Sequence, residues 1–212
     1  MRVAPMALLD AGYASRDKKT YSLVELAEAG GKIAECTHKH PLAFLPASLL
    51  TILLYKVVPM AVKQVQEDID RIVNETLDML DLIYIDKYES EKQYLRELSE
   101  KAIRLAHSDI SDADAIRELG EGWVAEETWA IALYCAIRHI NSVEDAIISS
   151  VNHNGDSDST GSVCGNIMGA IYGYEHIKER NIFCPEGKLL EDTLELSEII
   201  LALANDLSTG CI

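Results

Sequence analysis

Apolar residues recur at helical spacing over most of this chain. Val65, Ile69 and Ile72 illustrate the pattern within residues 60–86, and residues 88–107 show the same period with charged residues between the apolar ones. A spacing of three and four residues places apolar side chains on one face of a helix. No long alternation of Val, Ile and Thr, the pattern typical of strands, occurs in the sequence. The pattern therefore predicts an all-α fold, with these two charged helices in its outer layer.

Capping residues and glycines predict where several helices begin and end. Four serines stand three residues before an acidic or amide side chain, the spacing that caps a first helical turn: Ser22 and Glu25, Ser90 and Gln93, Ser111 and Asp114, and Ser142 and Asp145. The Gly30-Gly31 pair predicts that the first of these helices ends there or just beyond. Gly120 predicts the end of the helix that follows Ser111.

Two stretches are more apolar and predict buried helices. Residues 41–62 form the most apolar run, and because Lys56 and two prolines interrupt it, we expect a buried helix rather than a membrane span. Residues 120–140 predict a second, mostly buried helix. Near the C-terminus, the Pro-Glu-Gly sequence of residues 185–187 predicts a turn, and residues 191–207 predict a last amphipathic helix.

Composition and charge narrow the class of protein. A chain of 212 residues with 48% apolar and 25% charged residues suits one globular domain with a sizeable core, so we expect residues 1–212 to form a single domain. The balance of 19 basic and 35 acidic residues gives a net charge of −16, which disfavours binding to nucleic acid or to anionic membranes.

The cysteines and the N-terminus predict a cytoplasmic protein. The five cysteines include no C-x-x-C pair, which favours a reducing compartment over a disulfide framework. Cys36, Cys135 and Cys164 fall in helical patterns, where we expect buried thiols. Pro5 and Asp10 interrupt any apolar segment at the N-terminus, so the sequence predicts no signal peptide.

The candidate chemistry is concentrated in residues 150–173. Asp156 and Asp158 are two residues apart, so both carboxylates can leave the same side of the chain and converge. Two close carboxylates ionise together only when they hold a cation, and otherwise they share a proton. With Ser159 beside them the ligand set is all hard oxygen, which favours Mg²⁺, Mn²⁺ or Ca²⁺ over Zn²⁺. Helix capping alone also selects Asp and Ser at such a position, and this is the alternative interpretation.

The glycines of the same stretch have predicted roles of their own. Gly155 permits a tight turn into the carboxylates. Gly161, Gly165 and Gly169 fall on one helical face, which predicts the close approach of another backbone. Free N–H groups at a helix start favour anions, so a cation and a helix start together suit a phosphorylated or polyhydroxylated ligand.

The run VNHNGDSDSTGSVCGNIMGAIYG, residues 151–173, resembles the C-terminal signature of the ADP-ribosylglycohydrolase family, a G-D-x-D-[ST] loop leading into a Gly/Ala-rich helix. Three other stretches agree in the same order: MRVAP at residues 1–5, THKHPLAFLPA at 37–47 and LGEGWVAEETWAIALYC at 119–135. The resemblance spans residues 1–175 and implies a compact multi-helix bundle, whereas residues 176–212 diverge from the family pattern.

The resemblance implies a hydrolase that depends on Mg²⁺ or Mn²⁺ and cleaves the glycosidic bond at the anomeric carbon of ADP-ribose. Its partner would be ADP-ribose or an ADP-ribosylated substrate. Asp156, Asp158 and Ser159 would hold the metal ion, and Asp156 and Asp158 are also the candidate catalytic residues. Non-catalytic binding of ADP-ribose, or a structural role within the family, is the alternative function, and an ordinary helical interaction domain is a third.

The resemblance also implies ligand-binding positions. His38 would contact the phosphate or ribose of the ligand, whereas His40 would be structural. The ring of Trp123, which follows Gly122, would lie against adenine, and filling of the core is the alternative role for this residue. The backbone N–H groups of Gly155 and of Ser157 would approach the pyrophosphate or ribose. Glu126 and Glu127 are interpreted as acids of a first helical turn, favoured by the helix dipole.

This sequence departs from the family pattern at its N-terminus. Members carry an earlier portion with a G-D-[AS]-x-G element and a second acidic cluster, and neither is found here. The resemblance therefore predicts a domain truncated at its N-terminus that holds half of the metal-ligand cluster. An apolar face left open by a missing portion would favour self-association as a homo-oligomer.

Overall fold

A computed structural model describes residues 2–8, 21–180, 188 and 190–209. This part of the chain contains α-helices and no β-strand, which confirms the all-α prediction. Residues 4–8 are helical. The longer elements are α1 (Leu23–Glu35), α2 (Pro41–Val57), α3 (Val62–Ile83), α4 (Glu89–Ala106), α5 (Asp112–Leu119), α6 (Ala125–Arg138), α7 (Val143–Val151), α8 (Ser157–Tyr172), α9 (Tyr174–Glu179), α10 (Leu190–Thr193) and α11 (Ser197–Thr209).

Helices α2 and α6 form the centre of the molecule. Helix α2 packs against α1, α3, α4, α6 and α8, and α6 packs in addition against α5 and α7. Leu49 and Leu53 of α2, and Ile131 and Leu133 of α6, are fully buried. Burial of one such side chain stabilises a fold by about 1.5–3 kcal/mol, which explains why the apolar runs become central helices. Both buried-helix predictions are thus confirmed, and no helix in the described ranges is long and apolar enough to cross a membrane.

The close contact between α1 and α2 explains why the Gly30-Gly31 pair does not end its helix. Helix α1 continues through both glycines to Glu35. Both glycines are buried, and a side chain at Gly30 would overlap Thr51 of α2. A side chain at Gly31 would come within 2.7 Å of the Ser48 hydroxyl. The glycines therefore serve helix packing: a helix end at the pair itself is wrong, whereas an end just beyond it agrees with Glu35.

Three of the four predicted serine caps are confirmed. Ser22 and Glu25 form a capping box, and the hydroxyls of Ser111 and Ser142 accept hydrogen bonds from backbone N–H groups in the first turns of α5 and α7. The Ser90 cap is wrong, because α4 already begins at Glu89, after Tyr88 in a left-handed conformation with φ of 56°. The Ser90 hydroxyl instead donates to Glu91. Gly120 ends α5, as predicted.

The C-terminal segment differs from the single predicted helix over residues 191–207. It forms two helices, α10 and α11, because Leu196 between them adopts a positive φ of 59° that breaks the helical path. Ile199, Ile200 and Leu203 of α11 are exposed. The turn predicted at residues 185–187 lies outside the described residues.

Polar contacts fix the position of α6 against its neighbours. The Trp129 indole N–H donates to Ser99 of α4 at 2.9 Å. Asp112 at the start of α5 accepts the Tyr134 hydroxyl at 2.7 Å and pairs with His139 at 2.8 Å. These contacts join α4, α5 and α6 around the apolar centre and fix the middle and the C-terminal end of α6.

Two of the three cysteines with predicted burial are buried. Cys135 of α6 and Cys164 of α8 are inaccessible, whereas Cys36 is exposed at the C-terminal end of α1. Burial raises the pKa of the Cys164 thiol to about 12, so this thiol stays protonated at neutral pH. The prediction of burial is therefore wrong for Cys36, because the helix ends just before it and leaves it in the polar connection to α2.

Candidate functional site

Three segments enclose a cavity of about 520 Å³ at one end of the central helices. The connection between α1 and α2 contributes His38 and His40, residues 122–126 lie at the start of α6, and Asp156 and Ser159 lie at the start of α8. Side chains of α2, among them Pro46 and Leu50, also line it. The cavity thus combines an apolar wall with a small set of polar groups, a composition typical of small-molecule sites.

The start of α8 brings the predicted carboxylates together. Asp156 is the N-cap residue of α8, and its carboxylate accepts the Ser159 N–H at 3.3 Å. The Asp158 carboxylate accepts the same N–H at 3.0 Å. A hydrogen bond with Asp158, and then bonds from the Ser159 hydroxyl and N–H, hold the pKa of Asp156 below its ordinary value against the opposing effect of burial. Asp156 therefore stays ionised at neutral pH.

The acidic group at the start of α8 consists of Asp156, Asp158 and Ser159, and its members differ in their access to the cavity. Asp156 and Ser159 line the cavity, and Ser159 is buried. Asp158 is exposed and lies outside the cavity wall. Gly155 and Ser157 also lie outside the wall, and their N–H groups donate within the loop, to the His153 ring at 3.1 Å and to the Gly155 carbonyl at 3.0 Å.

Gly155 is required by the contact between two loops. The Asp156 N–H donates to the Glu121 carbonyl at 2.8 Å. A side chain at Gly155 would overlap the backbone of Glu121. Gly122, on the facing loop, has a positive φ of 80°, and a side chain there would come within 3.0 Å of Thr160. Glycine at these two positions lets the acidic loop lie directly against the turn before α6.

The close backbone approach predicted for Gly161, Gly165 and Gly169 is wrong. A side chain at Gly161 would meet the Val151 side chain at 2.6 Å, and one at Gly165 would lie 3.6 Å from Ile147. Nothing lies within 4 Å at Gly169. Helix α8 therefore contacts α7 through side chains, and the backbone contact that the glycine spacing suggested occurs instead at Gly155.

Trp123 lies on the cavity wall and outside the core. It is 66% exposed, it lines the cavity, and its indole N–H donates to the Glu121 carboxylate at 3.2 Å. The core-filling role is wrong for this residue, because α6 begins at Ala125 and leaves Trp123 ahead of the helix. Trp129 has the core-filling role instead and is 1% exposed.

The two histidines of the α1–α2 connection both line the cavity. The His40 ring accepts the Leu42 N–H at 3.2 Å and so caps α2, which agrees with a structural role. His38 contacts the Thr37 hydroxyl at 2.9 Å, and Arg2 donates to that hydroxyl at 2.8 Å. Arg2, which also lines the cavity, is a basic group to which sequence reasoning assigned no role, although it lies in the MRVAP stretch of residues 1–5.

Glu126 and Glu127 lie in the first turn of α6, as predicted, but they make specific contacts beyond the helix dipole. Glu126 lines the cavity, and burial raises the pKa of its carboxyl group. Glu127 accepts the N–H groups of Glu121 and Gly122, each at 3.0 Å. Sequence reasoning missed both contacts, although a glycine-rich turn just before two acids offered a signal.

His153 is a further residue that sequence reasoning missed. Its ring bonds the Thr160 hydroxyl at 2.8 Å and accepts the Gly155 N–H at 3.1 Å. The Thr160 hydroxyl also donates to the Ser150 carbonyl at 2.7 Å. His153 and Thr160 therefore fasten the acidic loop to the end of α7 and the start of α8, which fixes the place of Asp156.

The acidic group fits part of the coordination sphere of a hard cation. Asp156, Asp158 and Ser159 offer two converging carboxylates and a hydroxyl, and Mg²⁺ is commonly held by one or two carboxylates together with waters and substrate oxygens. Across the described ranges, no group of three or more His, Cys, Asp or Glu side chains is placed to hold a metal ion.

Three curated proteins are similar to this chain over part of its length. The chain is 30% identical to ADP-ribosylhydrolase ARH3 of Mus musculus over 99 residues, which cover 42% of this chain and 27% of the relative. The proteins of the same name from Bos taurus and Homo sapiens are each 28% identical over the same coverage. The matched region therefore spans about a quarter of the length of these curated relatives, 27%. No solved structure gives a significant match.

A family model described as ADP-ribosylglycohydrolase matches residues 1–211, nearly the whole chain. This match includes all three segments that enclose the cavity. The chain belongs to the ADP-ribosylglycohydrolase family.

Proposed function

We propose that this chain supplies the nucleotide-binding wall and one half of the metal-binding acidic cluster of a site that hydrolyses ADP-ribosyl glycosidic linkages. The observation that carries the proposal is the placement of Asp156 and Ser159 on the same cavity as Trp123 and His38. An aromatic face, basic groups and an acidic loop around one cavity match the three parts of ADP-ribose, namely the adenine, the diphosphate and the distal ribose. In this proposal residues 1–212 act as a single domain.

The binding roles follow from the position of each group. The exposed ring of Trp123 offers a face for adenine. His38 and Arg2 lie at the basic edge of the cavity and suit the diphosphate, which needs local positive charge in a chain with a net charge of −16. Gly155 and Ser157 support the ribose end by holding the acidic loop in place.

Asp156, Asp158 and Ser159 would hold Mg²⁺ or Mn²⁺, as oxygen ligands suit such ions. The bound ion would make its water more acidic and would orient the hydroxyls of the distal ribose. One of the two carboxylates, Asp156 or Asp158, would assist deprotonation of the attacking water. The same negative charge would stabilise the positive charge that develops on the sugar ring as the glycosidic bond breaks.

The relatives support the class of reaction. The curated proteins from three mammals are named ADP-ribosylhydrolases, and the family model is described as ADP-ribosylglycohydrolase. The match covers 27% of the relative from Mus musculus, so we propose that the remaining ligands and the acid needed for turnover come from elsewhere than the described residues.

Release of ADP-ribose tests the hydrolase directly. The chain would be incubated with ADP-ribosylated arginine, ADP-ribosylated serine and an O-acetyl ester of ADP-ribose, each with Mg²⁺ or with Mn²⁺, and free ADP-ribose would be quantified. Because this chain supplies one half of the cluster, we expect slow, metal-dependent release from one of these linkages, and loss of this release in the Asp156→Ala variant. Release that is unchanged in Asp156→Ala would contradict the assignment of the site.

Non-catalytic binding of ADP-ribose is the second candidate function. It is favoured by the absence of a cluster of three or more metal-ligating side chains within the described ranges, since the cavity wall alone can bind a nucleotide. A calorimetric titration with ADP-ribose in EDTA separates the two functions. Binding without release in any metal would support the binder, and a lack of binding with and without Mg²⁺ would exclude both.

A further inference from the structure

The turn formed by residues 120–123 joins the two halves of the proposed site. It carries Trp123 on one side, and the Glu121 carbonyl accepts the Asp156 N–H at 2.8 Å on the other. Gly155 lies directly against the Glu121 backbone in the same contact. Any shift of this turn would therefore move the aromatic ring relative to the carboxylate of Asp156.

The side chain of Glu127, in the first turn of α6, holds the turn of residues 120–123 by hydrogen bonds with its backbone. A single oxygen, Oε2 of Glu127, accepts the N–H groups of both Glu121 and Gly122 at 3.0 Å. Hydrogen bonds to a carboxylate are stronger than those between neutral groups. A side chain at Gly120 would overlap the Glu127 side chain, so the turn is shaped around this acid. Thr128 completes the support, because its hydroxyl donates to the Gly122 carbonyl at 2.8 Å.

We propose that Glu127 is a positioning residue that fixes the separation between the Trp123 ring and the Asp156 carboxylate in the cavity. The proposal rests on the proposed function for the identity of the ligand. The geometric part stands by itself, because Trp123 is 66% exposed and packing against the core does not hold it. The backbone of the turn, which Glu127 holds, and the hydrogen bond from the indole to Glu121 in the same turn determine where the ring lies.

The fluorescence of Trp123 tests the geometric part without any ligand. Trp123 and Trp129 are the two tryptophans of the chain, and the Trp123→Phe variant supplies the Trp129 contribution to be subtracted. We expect Glu127→Ala to lower the steady-state anisotropy of Trp123 and to increase its quenching by acrylamide. Glu127→Gln should have a smaller effect, because an amide oxygen still accepts hydrogen bonds but lacks the charge.

A matched control removes an acid from another first turn. Glu144 is an exposed first-turn acid of α7, so Glu144→Ala changes the charge and the helix dipole in the same way without touching the turn. It should leave the Trp123 signal unchanged. Equal anisotropy of Trp123 in wild type and Glu127→Ala would overturn the proposal, as would an equal decrease in Glu127→Ala and Glu144→Ala. If Glu127→Ala does not fold, Glu127→Gln provides the same comparison.

Calorimetry with ADP-ribose tests the functional part. The loss of two charge-assisted hydrogen bonds that organise the site should weaken binding by about tenfold in Glu127→Ala, with Glu144→Ala unchanged. Equal affinity in wild type and Glu127→Ala would overturn the positioning role. The two readouts separate the possible failures: if wild type does not bind ADP-ribose while the Trp123 signal still responds to Glu127, the proposed function fails and the positioning of Trp123 stands.

Discussion

Trp129 and Trp123 lie on either side of the first turn of α6, and the two regions that hold them are built differently. Trp129 belongs to the α2–α6 centre, is 1% exposed and packs among apolar side chains. Trp123 belongs to the rim of the cavity, residues 120–124 and 151–157, and is 66% exposed. Backbone N–H groups of the rim donate hydrogen bonds to Glu127, to His153 and to the Glu121 carbonyl, and these bonds hold the rim with little apolar burial.

Residues that determine stability and residues that we propose to bind the ligand therefore lie close together, on either side of the first turn of α6. Burial of apolar surface provides most of the free energy of folding, so the centre determines whether the chain folds. The rim contributes little buried apolar area and can carry exposed aromatic and acidic groups. Changes in the centre should therefore lower the free energy of unfolding, whereas changes in the rim should affect ligand binding more than stability.

The largest effect should come from Trp129→Ala. Removal of a buried aromatic side chain costs about 3–5 kcal/mol of unfolding free energy, and Ser99 also loses its hydrogen-bond partner. Urea unfolding followed by circular dichroism measures the change. Trp123→Ala is the matched control, for which we expect a change within about 0.5 kcal/mol. Similar losses of unfolding free energy in both variants would contradict the distinction between the centre and the rim.

The second largest effect should be the pH-dependent contribution of Asp112 to the free energy of unfolding, since its hydrogen bonds hold α6 in place. Burial raises the pKa of Asp112, but hydrogen bonds from Tyr134, His139 and Ser149 together outweigh it and hold the pKa below the usual value. A lowered folded pKa contributes stability above the unfolded value of about 3.9, and this contribution disappears as the pH falls through the folded pKa.

Asp112→Asn should therefore destabilise the protein by about 1–3 kcal/mol at neutral pH, since it disrupts a hydrogen-bonded network. The difference from wild type should shrink as the pH falls below the usual range of aspartate. Unfolding free energies of both proteins from pH 7 down to about 3 measure it. A difference that is constant over this range would show that ionisation of Asp112 does not stabilise α6.

A smaller effect on stability is expected at Asp156. Asp156→Ala removes the N-cap of α8 and should cost about 0.5–2 kcal/mol. Asp156→Asn keeps an oxygen that can accept the Ser159 N–H, so it should cost less while still removing the charge. Comparison of the thermal unfolding of the two variants separates the contribution of the N-cap hydrogen bond to stability from the contribution of the charge. Equal destabilisation by both would indicate that charge, rather than capping, stabilises the loop.

The smallest effect on stability, with a large effect on binding, is expected at Trp123. Trp123→Ala should change the unfolding free energy by no more than about 0.5 kcal/mol, because its side chain is largely exposed. It should weaken binding of ADP-ribose by about fivefold to tenfold, since an aromatic stacking contact contributes about 1 kcal/mol or more. Calorimetry with ADP-ribose measures this loss. Trp123→Tyr, which retains an aromatic face, should bind nearly as well as wild type.

Periodicity predicted the helices well, because burial of an apolar stripe is a local property of the sequence. Ser22, Ser111 and Ser142 cap as predicted for a similar reason: their partners lie three residues away. Predictions failed where a distant element decides the outcome. The Gly30-Gly31 pair looks like a helix end until Thr51 of α2 is placed against it.

The candidate site was predictable in part. The spacing of Asp156 and Asp158 correctly predicted that the two carboxylates converge at the start of α8. The glycine-rich turn before Glu127 signalled a turn, but the contacts of Glu127 and His153 depend on how each turn lies in three dimensions, which the sequence does not specify. Arg2 belongs to the MRVAP stretch, but it comes to the cavity from the far end of the chain, so its place there could not be predicted.

The affinity of ADP-ribose for wild type and for Asp156→Asn, each titrated calorimetrically with Mg²⁺ and with EDTA, tests the central claim most directly. The account predicts that Mg²⁺ tightens binding to wild type and has no such effect on Asp156→Asn, while both proteins bind alike in EDTA. Equal tightening by Mg²⁺ in both proteins would contradict the claim that the acidic loop at the start of α8 holds the ion beside the nucleotide.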